Sequence, residues 1–75
     1  MTIQWTAKLK TVNGIDQIKF SVKDSETLNC INGVLELKED EIVDGDIIDF
    51  LKMKLTSNIV LELEHEIFNI NQPNN

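Results

Sequence analysis

The sequence contains no arginine and no tyrosine, and its 75 residues include one cysteine, one histidine, one tryptophan and one proline. A single cysteine excludes an intramolecular disulfide, whereas secreted domains of this size usually carry several. One histidine and one cysteine are also too few ligands for a structural zinc site within one chain. Without arginine, the chain lacks the side chain that most often contacts phosphate or guanine through two hydrogen bonds.

Acidic residues dominate the charge of the chain. Thirteen acids and seven lysines give a formal net charge of −6. Residues 1–35 contain four lysines and three acids, whereas residues 36–75 contain three lysines and ten acids. Because binding to a nucleic-acid backbone depends on lysine and arginine, this balance predicts no direct nucleic-acid binding. It favours a protein partner with a basic surface.

Long apolar runs are absent as well. No apolar run exceeds three residues, which is too short for a membrane span. Residues 1–5 have neither the basic nor the apolar segment of a signal peptide, so we expect a cytoplasmic protein without membrane contact. Residues 71–75 have no apolar pattern and predict a flexible polar tail, which leaves residues 1–70 as a single small β-rich domain.

The first third of the chain predicts a β-hairpin. Apolar and polar residues alternate over residues 2–12 and again over 15–23, with the two-residue period of a strand. Asn13 and Gly14 between them favour a two-residue turn, in which both central positions need a positive φ. This turn fixes a register that pairs apolar residues on one face. The predicted pairs are Leu9 with Ile18, Ala7 with Phe20, and Trp5 with Val22.

The next segment predicts a second hairpin. Residues 24–26 interrupt the alternation and indicate a loop. Asn32 and Gly33 then favour a tight turn between strands at 28–31 and 34–37. The rival interpretation is a helix from residue 25, which Gly33 in its middle would destabilise by about 1 kcal/mol relative to alanine. Residues 38–46 predict an acidic connector.

Residues 47–55 fit either a helix or a strand. As a helix, the segment has Asp46 as its N-cap and Asp49 in its first turn, where the helix dipole favours acids. As a strand, residues 51–55 alternate strictly, and a loop at 56–58 would pair them with a strand at 59–67. This pairing places Asp49 opposite His65 and Lys52 opposite Glu62, and its coherence favours the strand.

Together these segments predict a mainly β fold, an antiparallel hairpin meander that curls into a small barrel or roll. The alternative is an α+β fold in which one helix, at about residues 46–56, covers the same sheet. Both place the same apolar residues in the core: Trp5, Leu9, Ile18, Phe20, Val22, Leu28, Leu35, Leu51, Leu61 and Leu63.

No pattern in the sequence predicts catalysis or a cofactor. The chain has no phosphate-binding loop, dinucleotide-binding glycine pattern or nucleophile elbow. We interpret His65 as an inward-facing strand histidine, since no nucleophile accompanies it. Cys30 lies among apolar neighbours and predicts a small buried side chain. The acids from Asp44 onward depart from the calcium-loop pattern, because Ile48 stands at the fifth position. We expect no enzymatic activity, no metal and no cofactor.

Carboxylates are therefore the candidate functional groups. On a strand, the alternate glutamates at 62, 64 and 66 would form a row with a spacing of ~6.8 Å. Lysines 8, 10, 19 and 23 point outward from the first hairpin, and cross-strand pairs with them would neutralise this row. The connector acids are harder to neutralise, because Lys38 alone lies among them. The candidate partner-binding residues are Glu39, Asp40, Glu41, Asp44, Asp46, Asp49, Glu62, Glu64 and Glu66.

Small size, acidic charge and the lack of catalytic residues predict a non-catalytic binding protein that occupies a basic surface of a larger protein. Phage and mobile-element inhibitors of a host nuclease or defence complex, of the anti-CRISPR or anti-restriction type, have this character. The prediction comes from size and charge and not from a motif. The alternative is a structural or assembly module, either a small subunit or a homodimer, that pairs through a free sheet edge.

Overall fold

The first two strands form the hairpin that the sequence predicts. In the computed structural model, which describes residues 2–70, β1 (Ile3–Val12) and β2 (Ile15–Asp24) pair antiparallel. The turn between them has φ values of 52° at Asn13 and 79° at Gly14, as a two-residue turn requires. The predicted register is confirmed in full: Leu9 pairs with Ile18, Ala7 with Phe20, and Trp5 with Val22.

A single third strand replaces the second predicted hairpin. β3 (Cys30–Glu36) pairs antiparallel with β2, so the strand order is β1-β2-β3. The predicted turn at Asn32 and Gly33 is wrong, because both residues lie inside β3. Gly33 is opposite Phe20, and a Cβ atom at Gly33 would lie 2.4 Å from Cζ of that ring. The glycine therefore allows an aromatic ring to cross the strand.

Asp24 ends β2 and organises the connection to β3. Its carboxylate accepts hydrogen bonds from the Glu26 amide (3.1 Å) and the Thr27 hydroxyl (2.8 Å), although its side chain is only 1% exposed. Burial raises the pKa of Asp24, but these hydrogen bonds outweigh burial, and the pKa lies below its ordinary value. The predicted loop thus begins after Asp24, and the aspartate itself belongs to the sheet.

A helix, α1 (Ile47–Ile70), replaces the two predicted strands at 51–55 and 59–67, so the favoured strand prediction is wrong. Asp46 is its N-cap, because its carboxylate accepts hydrogen bonds from the amides of Ile48 (2.8 Å) and Asp49 (3.2 Å). Thr56 interrupts the helical backbone with φ 73° and ψ 154°. After this kink, the residues packed on the sheet recur every three or four positions: Val60, Leu63 and Ile67.

The fold is α+β, and the predicted closed barrel or roll is wrong. The sheet is open, and α1 packs on one of its faces because that face carries the apolar pairs of the hairpin. The predicted helix at about 46–56 corresponds to the first part of α1. The core of the described residues consists of Trp5, Ile18, Phe20, Val22, Leu37, Leu51 and Ile67.

Several predicted core residues lie elsewhere. Leu28 is exposed because it lies in the β2–β3 connection, and Leu61 is exposed because it faces away from the sheet on α1. Leu9 is also exposed, on β1, which is an edge strand. Leu35 and Leu63 are partly buried against the core. The predicted tail at 71–75 lies outside the described residues.

Candidate functional site

The sheet separates the lysines of the hairpin from the acids of α1. The residues that alternate with the core positions of β1 and β2 point to the face that α1 does not cover. Among the residues that the structure describes, the lysines on this face make no ion pair. The expected cross-strand pairs with glutamates do not form, because the glutamates lie on the helix at the opposite side. The lysines are Lys8, Lys10, Lys19 and Lys23.

The glutamates at 62, 64 and 66 do not form the predicted row. Two residues along an α-helix correspond to a rotation of about 200°, so Glu64 faces away from Glu62 and Glu66. Glu64 accepts a hydrogen bond from Trp5 Nε1 at 2.8 Å. Lys52, from the first part of α1, lies 5.1 Å from the centroid of the same Trp5 ring. Trp5 therefore connects both parts of α1 to β1, and Glu64 stabilises the folded chain.

Glu41 and Asp46 also make contacts that stabilise the folded chain. Glu41 accepts a hydrogen bond from the Lys38 amide at 2.9 Å and forms an ion pair with Lys54 of α1. The Lys54 ammonium, together with the Lys38 amide, holds the pKa of Glu41 below its ordinary value. Asp46 caps α1 as described above. These two carboxylates both contact α1 and anchor the connector to it.

The other six candidate carboxylates are exposed and have no hydrogen bond or ion pair within residues 2–70. Two of them, Glu62 and Glu66, lie one turn apart on the outer side of α1. The other four, which we call the connector carboxylates, lie in the connector and the first turn of α1. They are Glu39, Asp40, Asp44 and Asp49.

An exposed isoleucine lies between the connector carboxylates in the sequence. The side chain of Ile42 is 82% exposed, whereas the next residue, Val43, packs against the core. Ile42 is not among the predicted site residues, although an apolar residue within an acidic run is a signal that could have identified it. Ile42 adds an exposed apolar side chain to a segment in which acids predominate.

The two side chains with reactive potential are both exposed, contrary to expectation. His65 lies on the outer side of α1, and the predicted cross-strand pair with Asp49 does not exist because both residues belong to one helix. Cys30 lies on the uncovered face of the sheet, where its Sγ donates to Asn32 Oδ1 at 3.6 Å. Both expectations depended on strand pairings that the chain does not form.

In the part of the chain that the structure describes, no cluster of three or more His, Cys, Asp or Glu side chains is placed to hold a metal ion. No helix among these residues is long and apolar enough to cross a membrane. Comparison of the chain with protein-family models, with curated proteins and with solved structures found no match.

Proposed function

We propose that this protein is a small non-catalytic binding protein that occupies a basic surface of a larger protein with its connector carboxylates. One observation carries the proposal: these four carboxylates are exposed and unpartnered within residues 2–70, while Glu41 and Asp46 beside them hold the fold. Exposed acids without counter-ions give this segment a negative potential, and a partner that supplies cations is attracted to it.

Ile42 gives this surface the composition of a protein interface. Interfaces combine an apolar centre, which excludes water, with a polar or charged rim. Ile42 projects into solvent between Asp40 and Asp44 along the chain. We therefore assign Ile42 as the apolar contact and the connector carboxylates as its rim, where they steer the encounter with a basic partner.

The partner class that fits is a nucleic-acid-binding enzyme. Such proteins carry lysine and arginine surfaces that neutralise phosphates, and exposed carboxylates compete for the same cations. An inhibitor of a host nuclease or defence complex, made by a phage or mobile element, acts in this way. A standard interface takes ~800 Å² from each partner, so it would use a moderate part of the 5444 Å² surface of this molecule.

The test compares two variants, each of which neutralises one set of exposed carboxylates. The variant Glu39→Gln/Asp40→Asn/Asp44→Asn/Asp49→Asn removes the connector carboxylates and spares Glu41 and Asp46. Each exposed ion pair contributes about 0.5 kcal/mol. We therefore expect this variant to bind a partner isolated with the wild-type chain roughly 30-fold more weakly than the wild type does. Added salt should weaken the wild-type complex and have less effect on the variant.

The control is Glu62→Gln/Glu66→Gln, which removes the two exposed carboxylates on the outer side of α1. This variant should bind like the wild type. Ile42→Ala should weaken binding without changing the unfolding free energy, since the side chain makes little contact with the folded chain. A partner that binds the connector variant as tightly as the wild type, with the same salt dependence, would contradict the proposal.

A further inference from the structure

The outer edge of β3 has free backbone hydrogen-bonding groups. The Leu37 amide donates to the Asp16 carbonyl at 2.9 Å, and the Asp24 amide donates to the Asn29 carbonyl at 3.0 Å. Because these bonds join alternate residues of an antiparallel pair, the odd-numbered residues of β3 bond to β2. The even-numbered residues direct their N–H and C=O groups away from the sheet, where residues 2–70 provide no backbone partner. They are Cys30, Asn32, Val34 and Glu36, and all four are exposed.

The two edges of the sheet differ in how they resist pairing with another strand. β1 carries Lys8 and Lys10, and lysines on an edge strand discourage the approach of a second strand. β3 carries no lysine and no proline, and its one charged residue is Glu36 at its end. Val34, at the middle of the exposed edge, is 54% exposed. β3 is thus the edge that is open to strand addition.

The sequence of β3 matches an antiparallel copy of itself. Full overlap of two β3 strands, centred on Gly33, places Ile31 of one copy opposite Leu35 of the other on the face that α1 covers. Both side chains are only partly buried in the single chain, so this pairing would complete their burial. On the uncovered face, Glu36 lies beside Cys30 of the other copy, about two strand spacings (~9.6 Å) from its Lys23.

We propose that β3 pairs antiparallel with β3 of a second copy of this chain and forms a two-fold symmetric dimer. The pairing joins two three-stranded sheets into one sheet of six strands, with both copies of α1 on the same face. The four even-numbered residues supply the backbone hydrogen bonds, and Ile31 with Leu35 supplies the apolar contact. The surface is separate from the connector carboxylates, so the dimer does not depend on the proposed function.

The first experiment measures the mass of the full chain by light scattering during size exclusion, over a wide range of concentration. We expect the wild type to reach the mass of a dimer. Val34→Lys places an ammonium on the edge of β3 and should leave a monomer. Val12→Lys makes the same substitution at another exposed valine, on β1, and should dimerise like the wild type.

The second experiment tests the register by oxidation. Glu36→Cys would face native Cys30 of the other copy at a hydrogen-bonded pair, with Cα atoms about 5.5 Å apart, within the range for a disulfide. We expect this variant to form a covalent dimer under mild oxidant, while Val34→Cys, which faces Asn32, does not. A wild type that stays monomeric at every concentration, a Val34→Lys dimer, or cross-linking through Val34→Cys and not Glu36→Cys would overturn the proposal.

Discussion

The same dipeptide occurs twice in this chain and has two different structures. Asn13 and Gly14 form the turn of the first hairpin, with positive φ at both residues. Asn32 and Gly33 lie within β3, where Gly33 faces the ring of Phe20. The strands around the first pair can fold back on each other and match apolar residues at every step. The strand around the second pair finds its match on β2 instead.

An Asn-Gly pair therefore permits a turn but does not enforce one. At Gly14 a Cβ atom would meet no atom within 4 Å, so the glycine is needed for its positive φ of 79°. At Gly33 the φ is not in the left-handed region, and the glycine is needed for the space that Phe20 occupies. One glycine satisfies a local backbone requirement, and the other satisfies a tertiary packing requirement.

The largest effect that separates these two roles is expected at Gly33. Gly33→Ala places a methyl group against the Phe20 ring, which is stacked on Trp5 with 6.0 Å between ring centroids. Because the ring is buried and something must shift to admit the methyl group, we expect a loss of about 2 kcal/mol in the free energy of unfolding, typical of overpacking. Urea unfolding of the variant and the wild type measures this loss.

Two controls complete that comparison. Phe20→Leu in the Gly33→Ala background should recover part of the loss, because the smaller side chain leaves room for the methyl group. Gly14→Ala should cost about 1 kcal/mol through its left-handed backbone, and Phe20→Leu should not rescue it. Equal rescue at both glycines would show that the loss of stability in Gly33→Ala does not come from contact with the Phe20 ring.

Thr56 also has a positive φ, although no turn pattern in the sequence predicts it. The effect expected at this position is smaller. Its φ of 73° is unfavourable for a β-branched residue, whereas the φ of 52° at Asn13 suits asparagine. We expect Thr56→Gly to raise the free energy of unfolding by about 1 kcal/mol, since relief of strain exceeds the backbone entropy of glycine. Ser57→Gly, at the next position, should lower it by about 0.5 kcal/mol, the difference in helix propensity between serine and glycine. A loss of stability in both variants would argue against strain at Thr56.

The smallest effects concern acid pH and compare a local contact with a tertiary one. Burial raises the pKa of Asp24, but hydrogen bonds, chiefly from groups two and three residues away, lower it below its ordinary value, whereas the pKa of Glu41 is lowered chiefly by Lys54 on α1. A carboxyl group whose pKa is lower in the folded chain stabilises the fold above its unfolded pKa. This contribution is lost as the pH falls below about 4.

We therefore expect the stability of the wild type to decline below about pH 4, and Asp24→Asn and Glu41→Gln each to flatten that decline. Urea unfolding at a series of pH values measures the slope. Ile42→Ala removes no carboxyl group and should keep the wild-type slope. A decline of unchanged steepness in both carboxyl variants would rule out these two groups as its source.

The fold could be predicted from sequence where one pattern excluded the others. The hairpin of β1 and β2 has a clean two-residue period, a turn dipeptide and a consistent register. In residues 47–67 two patterns coexist. Ile59, Leu61 and Leu63 alternate as in a strand, while Val60, Leu63 and Ile67 have helical spacing. The acidic N-cap at Asp46 was the local signal that favoured the helix.

The candidate site was predictable in part, because the sequence shows how many carboxylates the second half carries but not what each one contacts. Glu64 and Glu41 have the same chemistry as Glu62 and Glu39. They differ because Trp5 and Lys54 come within hydrogen-bonding reach of the first two. These contacts join residues that are far apart in the chain, and no local pattern indicates them.

By itself, the sequence determined the β1–β2 hairpin and the concentration of acids after residue 35, because each depends on backbone conformation or composition within a short segment. The tertiary structure decided that residues 47–70 are helical and that the lysines of the hairpin and the glutamates of α1 lie on opposite sides of the sheet. The physical reason is that the apolar face of an open sheet must be buried. In this chain a helix buries it, and the helix carries its acids to that side of the molecule.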